Sequence, residues 1–211
     1  KLTEKEEEQL KLLRIKFATT RLDLLVKEIE LKLIEGYGEQ QITMDEWLKR
    51  VAFETYRETS GIIGNFMRLP AAEIYMIVQN PWSGVEFSDI LWKNKEQLVF
   101  NLKKVITSGL IKGDSIQKMT KALNDEIGGA RYASQRIIRT ETGQVMNRVT
   151  LKSYDDNGLE QYEFSAHIDG RTSPVCKKLN GMVYKVSEGQ VGVNMPPMHP
   201  NCRSAILPVV E

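Results

Sequence analysis

No stretch of the 211 residues is apolar over the roughly 18 positions a membrane-crossing helix requires, and the opening residues lack a secretory-signal pattern. A spanning helix is therefore not expected. No region is strongly basic either. Residues 1–36 hold eight Lys or Arg against eight Asp or Glu, residues 37–129 eleven against twelve, and residues 130–211 ten against eight, for a net charge of +1. A protein that works by neutralising phosphates normally carries a basic tail or domain, so DNA contact is demoted, although folding can still gather a basic face. Repeats and low-complexity segments are absent. The first residue is Lys1 rather than Met, so the chain is read as a fragment with further segments expected beyond its ends. Cysteine and histidine are scarcest of all. His167, Cys176, His199 and Cys202 are the full set, gathered in the last quarter as if placed for joint use.

What is present suits a soluble globular protein, 41% apolar and 27% charged, long enough to bury a real core. Through residue 157 the pattern is helical. Thr3 with Glu6 forms a capping box that predicts a helix start. Leu10, Phe17, Leu24 and Leu31 then recur every seven residues, with Leu13 and Ile34 on an adjoining seam that Thr20 and Lys27 interrupt. That pattern predicts an amphipathic helix docked on its own domain in preference to an oligomer-forming one, ended by Gly36 and Gly38. Thr43 with Glu46 repeats the capping box and opens a helix carrying Trp47 and Val51, with Gly61 and Gly64 placed to loosen it. Pro70 suits the first turn of a short helix through Ile77. Asn80-Pro81-Trp82-Ser83-Gly84 reads as a turn in which Trp82 is an anchor on the core.

Ser88 is placed to cap a helix with Leu91, Leu98, Leu102 and Val105 inward, running to Gly109. Asp114 or Ser115 caps another through Ile116, Met119, Leu123 and Ile127, closed by Gly128. A long helix from Ala130 to about Asp156 turns Ile138, Val145 and Val149 inward and stops at Asn157-Gly158. On it Arg136 and Arg139, three apart, share a face and can hold carboxylates or carbonyls, or form an ordinary solvated face.

After Gly158 the pattern changes to strands near 161–168, 182–186 and 204–210. The expected fold class is α+β: long N-terminal helices forming a helical body over residues 1–157, then a small β-rich module with a short helix over residues 158–211. Ser173 fits an N-cap, Pro174 the first helical position and Gly181 the position past the end. Cys176 then falls in the first turn, where free N–H groups and the helix dipole favour a negative sulfur. His199 and Cys202, three residues apart on a proline-bounded loop, can bind one ion. With His167 from the strand they make a Cys2His2 set adequate for structural zinc. Unpaired thiols and a disulfide compete with that reading. A bridge closing the 27-residue loop contributes roughly 3 to 4 kcal/mol in the entropic account, structural zinc on the order of 10 kcal/mol or more.

Taken in order, these motifs carry a resemblance. Arg139-Thr140-Glu141, Asp169-Gly170-Arg171-Thr172-Ser173-Pro174-Val175-Cys176, Asn180-Gly181 and the run from Pro196 to Ser204 resemble the phage head-morphogenesis family, minor head proteins similar to protein F of phage Mu. Pro81 to Gly84, Trp92 and Gly109 to Leu123 extend the likeness. It implies a structural, non-catalytic minor capsid protein of the virion, held in the phage head and assembled in the host cytoplasm. It further implies association with the portal and other head proteins, a role in head morphogenesis and in packaging or ejection of viral DNA, and no membrane partner. Arg136, Arg139, Glu141, Asp169 and Arg171 are the candidate partner-binding residues. Many relatives carry a second cysteine where this chain has Ser173, which leaves His167 or Asp169 to supply a fourth ligand. The alternative is a thiol- or zinc-dependent hydrolase or toxin-like enzyme, with Cys176 as nucleophile and His199 as base.

Overall fold

The computed structural model describes residues 4–63, 68–80, 82 and 84–209, with side chains from Leu24 onward apart from Ile116. The Thr3–Glu6 capping box, the side chains of Leu10, Leu13, Phe17, Thr20 and Ile116, and Gly64, Pro81 and Ser83 lie outside the described residues. Among the described residues the chain forms helices α1 (Glu4–Ile63), α2 (Ala71–Val78), α3 (Phe87–Lys112) and α4 (Ile116–Asp156), followed by β1 (Gln161–Ser165), the short helix α5 (Pro174–Leu179), β2 (Val183–Lys185) and β3 (Ala205–Pro208). The expected α+β class is the one observed, with long helices first and a small sheet last.

Two expected helix ends are absent. Helix α1 continues through Gly36, Gly38 and the Thr43–Glu46 pair, and α4 continues through Gly128-Gly129. Glycine lowers helix stability by only about 1 kcal/mol, which in α1 burial of nearby turns offsets. In α1 the residues Tyr37, Met44, Leu48, Val51, Ala52 and Tyr56 are buried at helical spacing. The glycines mark a different boundary. Lys1–Glu39 with Lys95–Gly128 make one compact unit, and Gln40–Asn94 with Gly129–Glu211 make a second.

In the first unit Leu98, Leu102 and Ile106 are buried. Lys103 pairs with Glu30 at 2.6 Å, and Asn101 Nδ2 donates to Glu126 Oε2 at 2.7 Å. A Cβ at Gly109 would lie 2.5 Å from Met119 Sδ, so a larger residue there would displace that side chain. Lys118 N donates to Ser115 Oγ at 3.3 Å, the cap expected at the start of α4. Leu24 and Leu31 are each 61% exposed. The docked-helix reading of that seam therefore does not hold at these two positions.

In the second unit the three strands form an antiparallel sheet of order β2-β1-β3. Tyr162 and Phe164 of β1 alternate with more exposed neighbours and are fully buried. Tyr154 of α4, Tyr162, Val186, Met195 and Ile206 form a core cluster between helix and sheet. Val145 and Val149 of α4 are buried as expected, while Ile137 replaces the expected Ile138, a shift of one position round the helix. Tyr56 of α1 donates to Asp156 Oδ2 at 2.7 Å, and Ser60 Oγ lies 3.0 Å from Ser153 Oγ. These bonds join α1 to the end of α4.

Candidate metal centre

Helix α5 forms where its caps dictate. Ser173 Oγ accepts from Cys176 N at 3.2 Å, Pro174 fills the first position, and Gly181 takes φ +79° beyond the end. Gly181 N donates to Phe164 O and Phe164 N to Met182 O, both at 2.8 Å, which sets the exit of α5 against β1. Cys176 is held in the first turn and is 2% exposed.

The second half of the centre is the loop from Pro196 to Ser204. Trp82 Nε1 donates to Pro197 O at 2.7 Å, so Trp82 is the loop anchor its sequence context predicts. Asn201 N donates to Thr140 Oγ1 at 3.0 Å, and that hydroxyl donates to Arg136 O at 2.8 Å. Between these ties Cys202 N donates to His199 O at 3.1 Å, closing a turn in which Asn201 adopts φ +59°. Asparagine tolerates this left-handed conformation better than most side chains.

The turn brings His199 and Cys202 to Cys176. Cys176 Sγ lies 3.4 Å from His199 Nε2 and 3.7 Å from Cys202 Sγ, and all three ligand atoms fall within 4.8 Å of one another. Zn–S bonds of about 2.3 Å and Zn–N bonds of about 2.0–2.1 Å at tetrahedral angles imply S···S near 3.8 Å and S···N near 3.6 Å. The two separations from Cys176 Sγ match these within about 0.2 Å. They are far from the roughly 2.05 Å of a disulfide, and both cysteines are free. His199 Nδ1 lies 2.9 Å from Pro200 O, which can only accept. The ring proton therefore belongs on Nδ1, leaving the Nε2 lone pair for a metal.

His167 is not part of this triplet. The expected strand extends only to Ser165, so His167 sits in the following loop, with Nε2 3.7 Å from Asp169 Oδ2. It nevertheless lines, with Cys176 and His199, a cavity of about 20 Å³, room for one water or ion. Asp169 is fully engaged. Arg203 donates to its two oxygens at 2.7 and 2.6 Å, and Arg171 N donates to Oδ1 at 2.8 Å. These bonds, with Arg203 foremost, hold its carboxyl well below the usual carboxylate range. Thr172 Oγ1 accepts from Asp169 N and donates to His167 O, each at 2.7 Å, which fixes the turn. Arg171 is exposed and lines the same small cavity.

On α4, Arg136 and Arg139 are exposed. Glu141 points inward and is 4% exposed. Burial pushes its carboxyl up to about 7, opposed by the backbone N–H of Trp82 and the charge of Arg148. Gln144 donates to Asn80 O nearby. This buried polar cluster beneath the Trp82 turn was missed in the sequence, where Glu141 shows no apolar or spacing signal that distinguishes it from a surface acid. Arg139 and Arg171 both line one groove with His199 and Cys202.

A family described as Phage Mu protein F like protein matches residues 101–207, a span that contains α4, the sheet and all four Cys and His residues. A curated relative, NAD(+)--arginine ADP-ribosyltransferase EFV of Enterococcus faecalis, is 26% identical over 161 residues, covering 74% of this chain. The chain spans about a third of that relative, 32% of its length. No solved structure matches.

Proposed function

Since the chain belongs to the Phage Mu protein F like family, a family of phage head morphogenesis, we propose that it is a minor head protein that binds the portal or the inner head surface. In this reading it resides in the virion, is assembled in the host cytoplasm, and contributes to packaging or ejection of DNA through the head proteins it holds. The family match over residues 101–207 carries the reading. Copurification tests it: the chain should be found in purified heads and should cosediment with portal assemblies. Absence from both would end the proposal.

The centre is read as structural zinc, with Cys176, His199 and Cys202 as ligands and His167, on the same small cavity, turning in as the fourth. The match between ligand separations and tetrahedral zinc supports it. Zinc would supply a cross-link between α5 and the 196–204 loop. On this view residues 158–211 act as a stapled module and Arg136, Arg139, Glu141, Asp169 and Arg171 face or frame the partner. Asp169 and Glu141 act as framing residues, since both are engaged internally.

The role is non-catalytic. Cys176 is buried, whereas a nucleophilic thiol must be reached by its substrate. The transferase name belongs to a relative of which about two thirds lies outside the match. Thiol alkylation at neutral pH separates the readings. Protection of Cys176 that a chelator lifts fits structural zinc; rapid selective modification of the untreated protein fits an enzyme.

A further inference from the structure

The groove beside the metal centre has a volume of about 1000 Å³ and lies wholly within the second unit. Three large apolar side chains line it while remaining open to solvent: Trp47 at 45%, Tyr132 at 57% and Met146 at 45% exposure. Trp47 is pre-set, because its Nε1 donates to Thr142 Oγ1 at 3.1 Å and leaves a ring face open. Clustered exposed apolar groups of this kind mark binding surfaces.

The charge in the groove has one sign. Arg139, Arg171 and Arg203 line it, and no carboxylate does. Arg203 is neutralised by Asp169, but neither Arg139 nor Arg171 forms an ion pair among the described residues. An occupant complementary to the groove brings negative charge for two guanidinium groups together with an apolar side chain for the aromatic wall. Trp, Tyr, Met and Arg are the residue types enriched where proteins meet, and Lys, Asp and Glu are depleted there. The lining contains the first four and none of the last three. A surface for nucleic acid would add lysines along a phosphate track, and this region holds ten basic residues against eight acidic ones with no such run.

We propose that this groove receives an acidic linear segment of another head protein, one large apolar side chain seating among Trp47, Tyr132 and Met146 while flanking carboxylates pair with Arg139 and Arg171. The inference rests on the reading of the chain as a head protein only for where that partner is found. The recognition chemistry stands on the groove.

Fluorescence anisotropy on the purified full chain tests it, with a labelled peptide Glu-Asp-Glu-Phe-Leu-Asp-Glu as probe. A peptide with Ser in place of Phe and Leu, and a single-stranded oligothymidylate, serve as controls. The acidic Phe-Leu peptide should bind, the Ser peptide at least tenfold more weakly, and Tyr132→Ala and Arg139→Glu should each weaken binding at least tenfold with circular dichroism unchanged. Both positions are exposed, so folding is spared. No peptide binding, or equal binding by both variants, overturns the proposal. So does preferential capture of oligothymidylate that the same variants abolish, which would make the groove a nucleic-acid site. Head incorporation is scored separately. A doubly substituted chain that enters heads and holds its partners at the wild-type level overturns the groove assignment and leaves the head-protein reading intact. Absence of the wild-type chain from heads overturns that reading and leaves the peptide result standing.

Discussion

Replacing Glu141 by Gln is expected to stabilise the protein above neutral pH and to change little in acid. Loss of hydration moves this buried carboxyl from an ordinary 4.5 up to about 7. Between those values the folded state keeps a proton that the unfolded state has released, so stability falls as pH rises through the window. At about 1.4 kcal/mol for each tenfold change in the ionisation constant, the full penalty is about 3 kcal/mol, present above about pH 8 and gone below about pH 4. Gln keeps an acceptor for the Trp82 N–H and has no charge to desolvate. Urea unfolding followed by tryptophan fluorescence at about pH 5 and pH 8 reads the difference. The wild type should lose about 2 to 3 kcal/mol more than the variant between the two conditions. Arg148 supplies the refuting outcome. Its Nε is buried without a hydrogen-bond partner, and if Glu141 is ionised in compensation, removing the charge costs roughly 3–5 kcal/mol at pH 8. A variant destabilised to that extent would show that the Glu141 charge is compensated by Arg148 rather than penalised by burial, and the reasoning wrong.

Cys176→Ser and Cys202→Ser should each abolish a stoichiometric zinc content measured by plasma mass spectrometry and lower stability by more than about 3 kcal/mol. A wild-type protein that carries no metal after purification without chelator would contradict the zinc reading. Tyr56→Phe removes a 2.7 Å bond to the Asp156 carboxylate; hydrogen bonds to charged groups contribute about 1.5–3 kcal/mol, so a loss near 2 kcal/mol in urea unfolding is expected, and one below about 0.5 would show the bond to be idle. Asp169→Asn should speed amide hydrogen exchange at Arg171 and Thr172 at neutral pH. Because the Asp169 carboxyl is held below its ordinary 3.8, its stabilising effect is present above that value and lost as pH falls through the lower folded value. Wild type and variant should therefore converge in strong acid, and exchange that is equal at neutral pH would remove the turn from the argument.

The parts of the fold legible in the sequence are those fixed by short-range chemistry. Ser173, Pro174 and Gly181 delimit α5 because cap, ring and left-handed turn act within a few residues of each other. The alternation around Tyr162 and Phe164 marks β1 for the same reason. Convergence of Cys176, His199 and Cys202 was readable from scarcity, since the chain has few other groups of that chemistry. Helix ends were not readable at Gly36 and Gly38, where a weak local preference competes with burial of residues one or two turns away, nor at Gly128, where the helix runs on through an isolated glycine pair. Thr43 and Glu46 have the spacing of a capping box, but residues three apart also share a face of any uninterrupted helix. The inward turn of Glu141 depends on Trp82, 59 positions earlier in the sequence, and no local pattern records it. The pairing of Arg203 with Asp169 is equally non-local.

A peptide cut at Gly158 would keep every thiol and imidazole group and still lose Trp82, Thr140 and Tyr154, the two fasteners of the histidine loop and the tyrosine beneath the sheet. Such a peptide would have to organise that loop from metal binding alone, meeting an ordering entropy that the longer chain meets by folding. Its affinity for a metal ion should be correspondingly lower. The smallest faithful host for the centre is thus a discontinuous pair of segments, residues 40–94 and 129–211, and a graft of the tail would transplant the ligands without the vise that aligns them.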